Sequence, residues 1–191
     1  MNSILKTLHE QHRTAVDGMF EQCAEPLVAL AARCSEALQN NKKLLFCGNG
    51  GSACDAMHIA GEFVGRFVND RRSLAAIALP ADSGLLTAIG NDYSFADIYA
   101  RQVEGLGQAG DVLITLSTSG KSPNIVKALE VGRARGLVTA LFTGEKGRMQ
   151  TDKADITLIV PSLITAHVQE AHITALHALA SLIEAELFPQ T

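Results

Sequence analysis

Five short apolar runs, each closed by a turn and followed by helical sequence, leave this chain few folds to choose from. The runs are residues 44–47, 74–79, 112–116, 138–142 and 156–160. Apolar stretches of four to six residues, rich in Val, Ile and Leu, suit strands covered on both faces. Between them, residues 52–68, 95–106 and 122–135 have helical character, and a last helix runs from 165 to about 187, closed by Pro189. Strand–helix alternation predicts parallel strands with crossover helices on both faces. The expected class is therefore α/β, a three-layer doubly wound sheet of about five parallel strands, flavodoxin-like or Rossmann-like.

In the first forty residues, Ile4, Leu5, Leu8, Val16 and Phe20 fall near helical spacing. Pro26 then opens a second helical run with Leu27, Leu30, Ala31 and Leu38, which Asn40-Asn41-Lys42 ends as a turn. With no internal repeat, low-complexity tract or linker, the 191 residues read as one domain over 1–191. N-terminal helices occupy 1–40 and the α/β core with its long last helix occupies 41–191.

Composition narrows the function classes. A domain of this size buries roughly 70% of its unfolded surface and needs no staples. Cys23, Cys34, Cys47 and Cys54 contain no CxxC pair, so neither a zinc ribbon nor a thioredoxin-type motif is present. A net charge of −4 gives no support to a nucleic-acid or membrane-surface role. The first eighteen residues lack the continuous apolar core of a secretory leader, and no run approaches the ~18 apolar residues of a membrane span. The expected location is the cytoplasm.

In such sheets ligands bind at the carboxyl ends of the strands, so the turns there are where chemistry belongs. After the first strand, Gly48-Asn49-Gly50-Gly51-Ser52 opens directly into a helix. Glycines let backbone approach an anion that the helix N–H groups face, although a tight turn would use the same residues. The loose dinucleotide pattern Gly48-x-Gly50-x-x-Ala53 is also met, but the next strand ends Ala78-Leu79-Pro80 with no acid to hold a ribose, and no Walker lysine follows. The third strand ends in Ser117-Thr118-Ser119-Gly120-Lys121-Ser122-Pro123-Asn124. Ser122 is a natural N-cap with Pro123 at the first helical position. Capping needs one hydroxyl, and four hydroxyls beside a glycine make a phosphate cradle. Two such turns without a nucleotide signature point to a phosphorylated small molecule.

His58 and Glu62 lie four apart on one helix, a spacing that suits two metal ligands, an acid–base pair or simply a solvated face. In the last helix Gln169, Glu170, His172 and His177 interrupt an apolar stretch, a density that favours a site. Periodicity alone pairs Glu170 with His177, or Gln169 with His172. Gly90-Asn91-Asp92-Tyr93 reads as a turn carrying an acid, and His9 and His12 as surface residues of the N-terminal helix.

Cys47-Gly48-Asn49-Gly50-Gly51-Ser52, His58-Ile59-Ala60-Gly61-Glu62-Phe63, Gly90-Asn91-Asp92, Ser117-Thr118-Ser119-Gly120 and Val168-Gln169-Glu170…His177 together resemble, in order and spacing, the bacterial phosphoheptose isomerases of the sugar isomerase (SIS) superfamily. The resemblance covers nearly the whole chain. It implies isomerisation of sedoheptulose 7-phosphate to D-glycero-D-manno-heptose 7-phosphate, the first step toward the ADP-heptose of lipopolysaccharide core. It also implies a homotetramer with active sites between subunits and one zinc ion per subunit. By this resemblance His58, Glu62, Gln169 and His177 are the metal ligands, Glu62 is the base and His177 the acid. Asn49, Gly50, Gly51, Ser52, Glu62, Asn91, Asp92, Ser117, Thr118, Ser119, Ser122 and Gln169 match positions that bind the substrate and its phosphate. His167 stands where the family pattern has an arginine. The competing expectation is a non-catalytic SIS protein that binds a sugar phosphate or a replication-initiation partner, which would need the loops but not His58, Glu62 and His177.

Overall fold

The computed structural model describes residues 2–189. Strands β1 (Leu44–Gly48), β2 (Ala76–Ala78), β3 (Val112–Leu116), β4 (Val138–Gly144) and β5 (Ile156–Val160) pair in parallel in the order β2-β1-β3-β4-β5. Leu44 is opposite Val112, Val112 opposite Val138, and Ala140 opposite Ile156. Helices α1 (Ser3–Gln39), α2 (Gly51–Val64) and α6 (Thr165–Leu187) cover one face, and α3 (Ser83–Asp92), α4 (Ala100–Leu106) and α5 (Pro123–Ala134) the other.

Strand alternation sends neighbouring residues into two separate cores. Phe46, Ile114 and Phe142 point toward α1, α2 and α6, while Leu45, Leu113 and Leu141 point toward α3, α4 and α5. All of these side chains are buried, as the uninterrupted apolar runs predict. Among the described residues, no helix is long and apolar enough to cross a membrane.

Three expectations change. The two N-terminal helices are one, α1, with Pro26 inside it. A proline in a helix interior costs about 3 kcal/mol, but the stripe Ala15, Met19, Cys23, Leu27, Leu30, Ala31, Cys34 and Leu38 is buried on both sides of it. Packing against α6 and β5 holds the helix through the break, and Gln22, whose carbonyl the ring leaves unpaired, faces water. Second, Gly90, Asn91 and Asp92 are not a free turn but the last turn of α3. Third, the edge strand β2 is shorter than the run at 74–79: it starts only at Ala76, and at its far end Leu79–Ala81 turns into a 3₁₀ segment at Pro80.

His172 has no exposed surface and meets Phe142 edge-to-face at 5.9 Å. Burial pushes its pKa down to about 4, from an ordinary value of 6.5. Between these values the unfolded chain binds the proton and the folded chain does not, so stability falls as pH drops through 6.5 and the loss is complete near 4. The difference amounts to about 3 kcal/mol. In denaturant titrations between about pH 7 and 4, His172→Leu should lose less stability than wild type by about that amount. Parallel profiles would contradict this.

Candidate active site

β2 lies on one side of β1 and β3 on the other, so the crevice above the carboxyl ends of β1 and β3 is the topological switch point. Both predicted loops open there. The β1 loop turns into α2 through Gly50, whose φ of 57° and ψ of −124° suit only glycine, and no side chain caps this helix start.

The β3 loop begins with Ser117 N–H donating to the Phe142 carbonyl (2.9 Å) and turns at Gly120, whose N–H reaches the Ser117 carbonyl (3.0 Å). Ser122 and Pro123 hold the N-cap and first helical positions of α5, as predicted. The Ser122 hydroxyl does not cap, however, and lies 3.4 Å from the Ser117 hydroxyl. Ser119 Oγ accepts from the Lys121 N–H (3.3 Å). Thr118, Ser119 and Ser122 are half-buried. No serine is consumed by the helix, so the hydroxyls remain for an anion.

The two loops are latched together. Asn49 Nδ2 donates to Asn124 Oδ1 (2.9 Å), and Asn124 Nδ2 donates back to Asn49 Oδ1 (2.8 Å). From the other layer, the buried Tyr99 hydroxyl donates to the Gly48 carbonyl. The position of Asn124 was legible as part of the loop, but neither the latch nor the role of Tyr99 was.

Beside these loops α2 packs on α6. His58 Nε2 lies 2.9 Å from His177 Nε2 and 3.6 Å from Glu62 Oε1. Phe67 stacks on the His177 ring at 5.5 Å between centroids. Gln169, the fourth predicted ligand, lies over the β1 loop, where a Cβ on Gly51 would overlap its amide. Burial pushes the Asp55 carboxyl up, opposed by the Gln169 amide and the imidazoles of His58 and His177. One buried Asp55 oxygen has no hydrogen-bond partner among the described residues. His172, which periodicity offered in place of His177, is in the core, and Glu170 faces α1. Asn91 and Asp92 are exposed and bonded to each other (2.8 Å), and among the described residues no hydrogen bond links them to either loop.

A buried ion pair braces both helices. Arg71 donates to the backbone carbonyls of Glu62 (2.7 Å) and Phe63 (2.8 Å) at the end of α2, and to Glu184 Oε1 of α6 (3.0 Å). Glu184 also accepts the N–H groups of Phe67, Val68 and Asn69. The carboxylate thus folds the loop carrying Phe67 against His177, while the guanidinium closes the helix carrying Glu62.

A second cluster joins α1 to the start of α6. Glu170 Oε2 lies 2.7 Å from His12 Nδ1 and 2.9 Å from His167 Nδ1, and one ligand atom from each of the three residues falls within 4.8 Å of the others. Burial would raise the Glu170 carboxyl, but the hydrogen bonds from His167 and His12 hold it below the usual carboxylate range. His9 is exposed as expected, whereas His12 belongs to this cluster rather than to a free surface.

Residues 9–144 match the SIS domain family. Over 174 residues the chain is 49% identical to a phosphoheptose isomerase from Nitratiruptor sp., spanning 91% of this chain and 93% of that one. It superposes on a phosphoheptose isomerase from Neisseria gonorrhoeae with TM-score 0.89 and 38% identity, covering 95% and 97% of the two chains. With one from Francisella tularensis the TM-score is 0.90 at 33% identity, covering 96% and 98%.

Proposed function

This chain belongs to the phosphoheptose isomerase family of SIS-domain proteins, and on that premise we propose that it converts sedoheptulose 7-phosphate to D-glycero-D-manno-heptose 7-phosphate at the crevice between β1, β3, α2 and α6. The observation that carries this reading is the convergence of His58, Glu62 and His177 beside two uncapped, hydroxyl- and glycine-lined loops.

The reaction moves a proton from C1 of the ketose to C2 through an enediol, while another passes between the two oxygens. Glu62 takes the C1 proton and returns it to C2. His177 donates to the carbonyl oxygen and recovers a proton from the neighbouring hydroxyl. Ser117, Thr118, Ser119 and Ser122 hold the phosphate, and Asn49, Gly50, Gly51, Ser52 and Gln169 line the sugar. Asn91 and Asp92, exposed at the end of α3, are further substrate contacts by the family resemblance.

The imidazole nitrogens of His58 and His177, the Glu62 carboxylate and the Gln169 amide are donor types that suit a divalent cation of the zinc class. The buried, unpartnered oxygen of Asp55 near them adds charge that would favour one. His58, Glu62, Gln169 and His177 are the residues that would hold one zinc ion per subunit, supplying Lewis-acid polarisation of the sugar oxygens.

The reading extends to a cytoplasmic homotetramer with active sites between subunits. Ile4, Leu5, Leu8, Phe20 and Val28 of α1 are exposed, and His58 keeps 49% of its side chain accessible in the single chain. Sedimentation at micromolar concentration should give the tetramer, and a monomer would contradict it. Turnover of sedoheptulose 7-phosphate tests the activity. Ser119→Ala and Ser122→Ala should each raise KM about tenfold or more, the equivalent of losing a hydrogen bond worth about 1.5–3 kcal/mol to a charged group. Unchanged KM in both would remove the phosphate assignment.

A further inference from the structure

We propose that His12, His167 and Glu170 form a second metal site, for a divalent ion of the zinc class, which clamps α1 to the start of α6. Two imidazole nitrogens and a carboxylate oxygen are the ligand types found in three-residue zinc sites that keep a fourth position for water. Here they come from helices distant in sequence, with His167 and Glu170 one turn apart on α6 and His12 supplied by α1.

All three ligand atoms already lie within 4.8 Å of one another, so side-chain rotations bring them to an ion. Bonds of about 2.0–2.1 Å arranged tetrahedrally place ligand atoms roughly 3.3 Å apart. The two histidine–glutamate separations of 2.7 and 2.9 Å therefore open by about half an ångström, a small side-chain rotation. His167 is only 4% exposed, so packing already holds its ring. The half-exposed side chains of His12 and Glu170 leave the fourth position open to water.

The partner of the far ring nitrogen favours the same state. With Nδ1 donating to Glu170, the His167 Nε2 of a neutral ring is a bare acceptor facing the Gln11 Oε1 acceptor at 3.4 Å. A metal on Nδ1 moves the proton to Nε2, which then donates to Gln11. Outer partners of this kind orient metal-bound histidines.

Metal content per chain, measured after chelator treatment and dialysis against micromolar zinc, tests the site. Wild type should hold two ions, His12→Asn and Glu170→Gln one each, and His58→Asn one. Zinc should raise the Tm of His58→Asn but not that of the double variant His58→Asn/His12→Asn. One ion in wild type that disappears in His58→Asn and persists in His12→Asn would overturn this site and leave the proposed active-site metal standing. One ion that disappears only in His12→Asn would support this site and remove the other. Two ions in both wild type and His12→Asn would overturn it outright.

Discussion

Glu62→Gln should fold as wild type does and lose turnover by a factor of about 10²–10⁴, the range that a positioned general base contributes. Glutamine keeps the length and one oxygen of the side chain but cannot accept a proton at neutral pH. The backbone role of residue 62 survives, because Arg71 binds its carbonyl rather than its side chain. What the substitution weakens is a 3.6 Å approach to His58 by a side chain that is 24% accessible, a small contribution to stability. A fall in kcat with little change in melting temperature is therefore the expected pattern. It separates an enzyme from a protein that only binds a sugar phosphate, in which Glu62→Gln would leave ligand affinity and biological output alike. Full turnover by the variant would remove Glu62 as the base.

Breaking the Arg71–Glu184 pair should have the largest effect on stability. Both side chains are 2% accessible, and removing one partner leaves the other charged and buried. Such losses cost about 3–5 kcal/mol. Urea unfolding of Glu184→Ala should show a decrease of that size, and Arg71→Met a similar one. The double variant Arg71→Met/Glu184→Leu should recover part of it, because no orphaned charge remains, although the end of α2 stays uncapped. Residual kcat gives the second readout. Loosening the loop that holds Phe67 on His177 should lower kcat more than it raises KM, whereas weakened packing alone would lower the active fraction and leave both constants of the folded enzyme unchanged. Additive losses in the double variant would show that the pair does not act as a unit.

The elements legible in the sequence are those whose burial is written as an uninterrupted local pattern. β3 and β5 fall on the apolar runs at 112–116 and 156–160, and α6 runs from Thr165 to Leu187 as its apolar stretch predicts. α3 is hidden because it is short and Ile89 is its one buried residue, so Leu85, Leu86 and Ile89 make a pattern too brief to stand out beside the Gly90-Asn91-Asp92 turn signal. α1 reads as two helices if Pro26 is weighed as a breaker by itself, yet the buried stripe continues past the proline and packing decides for a single helix.

At the site, the turns and the His58–Glu62 spacing are legible because each is local. The meeting of His58 with His177 spans 119 residues and that of His12 with Glu170 spans 158, distances over which helical period carries no information. The competing pairings on α6 are separated only by packing. One face of the helix enters the core with His172, while His177 turns to α2 and Glu170 to α1.

The paired amides of Asn49 and Asn124 have a consequence for how this sequence can drift. Each side chain offers a donor where the other has an acceptor, and Asn124 is buried. Aspartate at either position alone would set a carboxylate oxygen against an amide oxygen, serine would fall short, and leucine would leave the opposite amide unanswered. A single change at one position is therefore selected against by the other, 75 residues away. Positions 49 and 124 form one heritable unit, so descendants of this chain should keep both asparagines or replace them together.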